Sequence, residues 1–160
     1  MLTVSLGVRM DERIEIINGE VVMIAPPSTA HQLISMELAR QLANYLEGKK
    51  CKAIPAPFAV RLFEKEGDTP GDIDTVVEPD ISVVCDTDKL DKNGCKGAPD
   101  LVVEILSPST QRHDRLVKLD LYQRGGVREY WIVSPEEKTV QVFRLNGGLL
   151  RPHEVYGKED

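Results

Sequence analysis

The chain has no long apolar run and no recognisable leader. Its longest apolar runs are about six residues, whereas a helix that crosses a bilayer needs roughly 20. The first ten residues, MLTVSLGVRM, lack the basic start and the extended apolar centre of a signal peptide. We therefore expect a cytoplasmic protein that is not associated with a membrane.

Cysteine is scarce as well. The three cysteines, Cys51, Cys85 and Cys95, are odd in number and show no CxxC spacing. This pattern favours free thiols in a reducing compartment over a disulfide framework or a zinc site. We therefore predict that the thiols are free.

Several catalytic and binding motifs are absent too. The sequence contains no glycine-rich phosphate loop, no nucleophile elbow and no HExxH pair. The loop DTDKLDKNG resembles a calcium loop, but aligning Gly94 with the required glycine puts Lys89 where the first acidic ligand belongs. No single short motif therefore identifies the chemistry.

Basic residues are fewer than acidic ones, 20 against 26. The formal net charge is −6 at pH 7, which disfavours a protein that coats nucleic acid indiscriminately. Residues 112–129 differ, because they carry five basic side chains and three acidic ones. Such a strip is compatible with a substrate that bears phosphate, although many solvated helices have the same composition.

The patterns that are present predict one α/β domain. At 160 residues the chain can bury a core without disulfides or metal. Asn18-Gly19 predicts a two-residue β-hairpin, and Ser28 and Gly48 bound a predicted helix. Residues 52–64 and 76–85 are each predicted to form a strand.

The second half of the chain has strand–helix–strand order. A strand from Leu101 is followed by a helix predicted over about 111–124 and then by a strand through Trp131. A further strand follows the turn at residues 135–138. The strands on either side of the helix are predicted to be parallel neighbours in a mixed sheet.

One strand carries a carboxylate in its apolar run. In APDLVVEILSPST, alternation puts Asp100, Glu104 and Leu106 on one face, and Asp80 lies in the preceding strand. If the two strands pair, Asp80 and Glu104 approach each other and need a basic side chain, a proton or a divalent cation as compensation. Alternatively, Asp80 and Asp100 merely begin strands after prolines, and Glu104 pairs with an arginine.

The helix that follows contributes a polar stripe. At 100° per residue Gln111, Arg115, Lys118 and Tyr122 share one side, with Leu116, Val117 and Leu121 on the packing side. Lys118 could fold back over the carboxyl end of the strand, where α/β sheets place their ligands. The alternative is a solvated charged face.

Two residues of the first helix are ambiguous. His31 lies within the apolar stripe, where a histidine is more often a cap or a core-rim residue than a ligand. Glu37 lies at the edge of that stripe and fits either a ligand or a surface residue.

With these residues identified, the sequence resembles a known family. The runs EPDISVV, PDLVVEILSPST and DRLVKLDLYQRGGVREYWIV are similar to the Uma-two family of restriction-endonuclease-like proteins, in the PD-(D/E)xK nuclease superfamily. The resemblance extends from the Asn18-Gly19 hairpin to about Arg144 and is strongest over residues 78–134. It implies an α/β fold with a restriction-endonuclease-like mixed β-sheet core flanked by helices. Residues 1–160 would form a single nuclease-like domain that lacks a final C-terminal strand found in the family.

The resemblance also implies a site. Asp80 and Glu104 would bind Mg²⁺ or Mn²⁺, with Glu37 as an additional ligand. The superfamily's usual lysine position is occupied by Leu106, and the family resemblance instead assigns the catalytic lysine to Lys118. Contacts to the substrate phosphate would come from the same helix, through Arg115, Tyr122 and Gln111.

Three functions follow as hypotheses. The first is a Mg²⁺-dependent endonuclease that hydrolyses DNA as a homodimer. The second is a catalytically inactive nuclease-fold module that binds nucleic acid or protein, supported by Leu106 and the negative net charge. The third is a structural domain in which Glu104 and Lys118 form an ion pair.

Overall fold

The strands form two six-stranded sheets in a computed structural model that describes residues 13–108 and 114–160. Sheet A has the order β2-β1-β5-β4-β8-β7, and sheet B has the order β12-β11-β10-β9-β6-β3. The strands are β1 (Arg13–Ile17), β2 (Glu20–Ile24), β3 (Lys52–Pro55), β4 (Val60–Arg61), β5 (Val76–Val77), β6 (Ile81–Val84), β7 (Leu90–Asp91), β8 (Gly94–Lys96), β9 (Leu101–Ile105), β10 (Glu129–Ser134), β11 (Thr139–Asn146) and β12 (Leu149–Tyr156).

Two α-helices accompany the sheets in the described part of the chain. Helix α1 spans Thr29–Leu46, and helix α2 spans Leu119–Gly125. A π-helical turn, Asp114–Lys118, leads directly into α2. Short 3₁₀ turns occupy Pro70–Asp72 and Thr87–Lys89.

The predicted hairpin and first helix are confirmed. Ile17 pairs with Glu20, so Asn18 and Gly19 alone form the turn, and both have positive φ as a type I′ turn requires. Helix α1 begins after Ser28, whose hydroxyl oxygen accepts a hydrogen bond from the His31 N–H. This cap places His31 in the first turn of the helix.

The prediction of two uninterrupted strands is wrong. Residues 52–64 divide into β3 and β4, and residues 76–85 divide into β5 and β6, with each pair split between the two sheets. Prolines mark both breaks: a cis Ala56–Pro57 bond follows β3, and Pro79 precedes β6. Proline cannot donate a ladder hydrogen bond, so the chain leaves one sheet there and enters the other. Asp80 lies at the second crossing.

Sheet B confirms the predicted strand pairing. Strands β9 and β10 are parallel neighbours, and β6 runs antiparallel to β9 with Ile81 opposite Val103. The next step in that register brings Asp80 opposite Glu104. Strand β12 was not predicted; it follows a two-residue turn at Gly147-Gly148 and pairs with β11.

Strand β9 separates two clusters of buried side chains. Val102 and Leu106 pack with residues of both sheets and of α2, whereas Val103 and Ile105 pack beneath α1. Full burial of such side chains contributes roughly 1.5–3 kcal/mol each. Glu104 shares the face of Val102 and Leu106, and so points toward sheet A and α2.

The cysteine prediction is wrong for two of the three residues. Cys51 and Cys85 form a disulfide, and Cys95 is a buried free thiol. The bond follows from the β3–β6 ladder, since Lys52 lies opposite Val84 and the next pair is Cys51 and Cys85. A separation of 34 residues in the chain hides this proximity from the sequence. None of the described helices is long and apolar enough to cross a membrane.

Gly94 is a position where the fold requires glycine. Its φ is +128°, and an added Cβ would lie 2.1 Å from the Ala59 carbonyl oxygen. We expect Gly94→Ala to lower the free energy of unfolding by roughly 2 kcal/mol or more, because backbone strain and a backbone clash add. Urea unfolding measures the loss.

Gly48→Ala is the matched control. Gly48 also has positive φ, at +72°, but an added Cβ meets nothing within 4 Å. The free energy of unfolding of Gly48→Ala should fall only by the backbone strain, about 1 kcal/mol. If Gly94→Ala and Gly48→Ala lose the same free energy of unfolding, the clash at Gly94 does not destabilise the protein.

Candidate active site

Asp80 is fixed by contacts from two directions. Its Oδ2 accepts a hydrogen bond of 2.7 Å from the Ile105 N–H, and its Oδ1 lies 3.2 Å from His31 Nε2. The side chain is 15% exposed. Asp80 therefore lies where the chain crosses between the sheets, and contacts with β9 and α1 fix the orientation of its carboxylate.

Glu104 is the next residue of the site. Its contacts come from Lys118 and Tyr122, on the face of sheet B that packs toward sheet A and α2. Its Oε1 accepts hydrogen bonds from the Tyr122 hydroxyl at 2.5 Å and from Lys118 Nζ at 3.2 Å. Only 13% of the side chain is exposed. Glu104 therefore pairs with a lysine and a tyrosine, and the alternative prediction that it pairs with an arginine is wrong.

Lys118 is buried between two carboxylates. Besides Glu104, its Nζ contacts Glu15 Oε1 at 2.7 Å, and the lysine side chain is 7% exposed. Tyr122, one turn further on, is fully buried. The alternative of a solvated face is therefore wrong for these two residues.

Glu15 is a site residue that the sequence reasoning missed. It lies on β1 in sheet A, is 6% exposed, and also accepts a hydrogen bond from the Glu78 N–H at 2.8 Å. The signal was available, because Glu15 shares a strand face with Ile17, as Glu104 shares one with Val102. The same argument that identifies Glu104 as a buried strand carboxylate therefore also applies to Glu15.

The predicted packing side of the second helix needs correction. Leu116 was placed there together with Val117 and Leu121, yet it is 69% exposed. The reason is that Asp114–Lys118 forms a π-helical turn, in which i→i+5 bonds replace the 100° periodicity on which the prediction relied. The wider turn directs Lys118 inward instead.

The remaining predicted residues lie at the margin of the site or away from it. Arg115 is near Glu137, with Nη2 to Oε2 at 3.4 Å, and is one third exposed. Glu37 is hydrogen-bonded to Arg40 and Gln41 and is about half exposed, so the structure does not bring it into contact with Asp80 or Glu104. Gln111 lies outside the described residues.

The cluster shifts the proton affinities of its members. Burial raises the pKa of Glu104 to about 7, with Asp80 and Glu15 adding to the effect and Lys118 opposing it. Burial acts to lower the pKa of Lys118, but attraction to Glu104 and Glu15 outweighs it and the net pKa is raised. Lys118 is therefore a permanent cation at neutral pH.

His31 belongs to the same electrostatic unit. The hydrogen bond to Asp80 raises the pKa of His31 above its usual value, and burial opposes the increase. The other ring nitrogen, Nδ1, lies 3.1 Å from Gln32 Oε1. The cap at Ser28 and the Gln32 contact together orient the ring toward Asp80.

The acidic pair fits an oxygen-preferring cation. Within residues 13–108 and 114–160 no group of three or more His, Cys, Asp or Glu side chains is arranged to hold a metal. Mg²⁺, however, commonly takes one or two carboxylates and completes its shell with water and substrate phosphate. Asp80 and Glu104 are two carboxylates of this kind, and the Glu104 Oε2 receives no hydrogen bond from the described residues.

Together the two mixed sheets and the two helices of the described residues define an α/β fold. The chain is similar to the crystal structure of a "putative nuclease belonging to DUF820" from Anabaena variabilis, with a TM-score of 0.70 and 22% identity. The match covers 91% of this chain and 76% of that one. At this identity the likeness establishes the fold.

The family is established by the sequence. Residues 4–160 match the model of the Uma2 family, described as "Putative restriction endonuclease", and the chain belongs to that family. It is also 28% identical, over 139 residues, to "Uncharacterized protein slr1290" from Synechocystis. That match covers 86% of this chain and 69% of the relative. The family resemblance and the fold class read from the sequence are both confirmed.

The raised pKa of Glu104 makes stability depend on pH. The folded-state value of about 7 lies above the ordinary 4.5, so the folded protein binds more protons between these values. The free energy of unfolding must then fall as pH rises through this window. Relative to wild type, Glu104→Gln should gain on the order of 3 kcal/mol between pH 5 and pH 8.

Urea unfolding of both proteins in EDTA measures this difference. Glutamine retains an oxygen that can accept from Tyr122 and Lys118, so the comparison isolates ionisation. A stability difference between the two proteins that is the same at both pH values would refute a raised pKa.

Proposed function

We propose that the protein is a Mg²⁺-dependent endonuclease that hydrolyses phosphodiester bonds in DNA. The observation that carries this proposal is the position of Asp80 directly before β6, where its carboxylate accepts a hydrogen bond from the N–H of Ile105, the residue after Glu104. The ammonium group of Lys118 lies 3.2 Å from Glu104. Two carboxylates and one buried cation at adjoining positions fit metal-assisted hydrolysis. Mn²⁺ would suit the same oxygen ligands.

Each residue has a distinct task in this account. Asp80 and Glu104 would hold the divalent ion, which activates water and neutralises charge that develops on the phosphate. Burial raises the pKa of Glu104 to about 7, whereas a carboxylate must be deprotonated to hold a metal ion, so cation binding would be weaker at acidic pH. Lys118 would place a positive charge beside the reacting phosphate.

Leu106 explains why the lysine comes from the helix. The Leu106 side chain is 2% exposed and belongs to the core between the sheets and α2. A lysine at this position would have to bury its ammonium in that core, at a cost of several kcal/mol. Lys118 reaches Glu104 from the π-helical turn, where Glu15 provides a second anionic partner.

The three predicted phosphate contacts have different roles in this proposal. Arg115 is one third exposed and ion-paired with Glu137, and we propose that it contacts a neighbouring phosphate. Tyr122 is fully buried, and we propose that it orients Glu104 rather than touching the substrate. Gln111 is kept as a proposed phosphate contact because the sequence pattern puts it on the polar stripe of this helix with Arg115 and Lys118.

The biological form is part of the same proposal. Cleavage of both strands of a duplex requires two sites, so we propose a twofold homodimer acting in the cytoplasm. The formal net charge of −6 favours contact with DNA over a limited part of the surface rather than over all of it. Sedimentation measures the oligomeric state.

A nuclease-fold module that binds without cutting is the second candidate. Its support is that Lys118 is already held by two carboxylates and that Leu106 occupies the usual lysine position. In this account the cluster is structural, and DNA or a protein binds elsewhere on the same fold.

Cleavage of plasmid and single-stranded DNA in Mg²⁺ or Mn²⁺ separates the two candidates. Asp80→Asn, Glu104→Gln and Lys118→Met should each reduce the rate by about a hundredfold or more, because each removes a charge from the reacting centre. EDTA should abolish cleavage by wild type.

Glu129→Gln is the matched control, since Glu129 pairs with Arg144 away from the cluster. It should cleave as wild type does. Cleavage that survives all three site substitutions would refute the assigned site. Retained DNA binding without cleavage by wild type would favour the second candidate.

A further inference from the structure

We infer that Glu15 is the positioning residue that holds Lys118 in the active site. The inference rests on the proposed nuclease function and extends the site from sheet B to sheet A. Glu15 contacts Lys118 Nζ at 2.7 Å, closer than the 3.2 Å contact of that atom with Glu104. Both side chains of the Glu15–Lys118 pair are 7% exposed.

The position of Glu15 is itself well determined. The residue lies in the middle of β1, which pairs with β2 along its whole length and with β5 through Ile16 and Val76. The Glu78 N–H donates to the same Oε1 atom that contacts Lys118. A carboxylate fixed by a strand and by a backbone donor can fix the flexible lysine in turn.

Charge balance explains why the site needs a second carboxylate. One buried ammonium group faces two carboxylates, Glu15 and Glu104. If Glu104 directs its charge to a metal ion, Lys118 loses part of its compensation, and an uncompensated buried cation is costly. Glu15 keeps Lys118 paired, so that Glu104 is available as a ligand.

The contacts of Glu15 argue against a role as a metal ligand. Its Oε1 already accepts from Lys118 and from the Glu78 N–H. In the described ranges no set of three acidic or histidine side chains converges on a metal position. Glu15 therefore acts through Lys118 rather than on the substrate.

The test uses Glu15→Gln in the full chain. Glutamine is isosteric and still offers an oxygen to the Glu78 N–H, so it removes the charge and preserves the local backbone contact. We expect kcat on plasmid DNA to fall about a hundredfold, as expected for a misplaced catalytic group. The KM for DNA should stay within twofold of wild type. The Mn²⁺ affinity from calorimetry should fall only modestly, and much less than in Glu104→Gln, because Lys118 then competes with the ion for Glu104.

Glu64→Gln is the matched control. Glu64 is also a largely buried carboxylate, next to β4 of sheet A; it pairs with Arg61 instead of Lys118, and its side chain is 13% exposed. It should leave kcat unchanged. A fall in Mn²⁺ affinity for Glu15→Gln as large as that for Glu104→Gln would make Glu15 a ligand and overturn the inference, and so would an unchanged kcat.

Thermal unfolding provides a readout independent of activity. The Tm losses of Glu15→Gln and Lys118→Met should be clearly non-additive. The double variant removes both charges of the Glu15–Lys118 pair, so neither charge of this pair is left buried alone. If Glu15→Gln alone does not fold, recovery of folding in the double variant supports the pairing. If wild type cleaves no DNA, the nuclease proposal fails, and this cycle alone decides whether Glu15 positions Lys118; additive losses overturn that role.

Discussion

The burial of one ammonium group between two carboxylates is the constraint on which the site depends. Lys118 comes from the turn that leads into α2, Glu104 from the middle of sheet B, and Glu15 from sheet A. A charge removed from water must be compensated by well-placed partners, so the three elements cannot shift independently. The same cluster that joins the sheets thereby fixes the geometry of the proposed reacting centre.

The backbone reaches this arrangement through two irregularities. Pro79 interrupts the run from residue 76 to residue 85, and the chain crosses between sheets with Asp80 at the entrance to β6. A π-helical turn before α2 directs Lys118 inward and leaves Leu116 in solvent. Local departures from regular structure concentrate at functional sites, and here they place two of the three proposed catalytic side chains.

Much of this could be predicted from the sequence, for identifiable reasons. Strand alternation puts Glu104 on a buried face, and the predicted pairing of its strand with the preceding one is confirmed, with Ile81 of β6, the residue after Asp80, opposite Val103 of β9. The periodicity of 3.6 could not reveal a π turn, and proximity of Cys51 to Cys85 depends on a ladder that no local pattern encodes. Strand alternation also indicates that Glu15 lies on a buried face with Ile17, but its pairing with Lys118, 103 residues away in the chain, is not encoded in any local pattern.

The central proposal is that Asp80 and Glu104 would hold the divalent cation while Glu15 retains Lys118. Anomalous diffraction from crystals soaked in Mn²⁺ tests it most directly. The account predicts a strong anomalous peak beside the carboxylates of Asp80 and Glu104, with Lys118 Nζ still in contact with Glu15. A peak that is coordinated by Glu15, or no peak between β6 and β9 at saturating Mn²⁺, would contradict it.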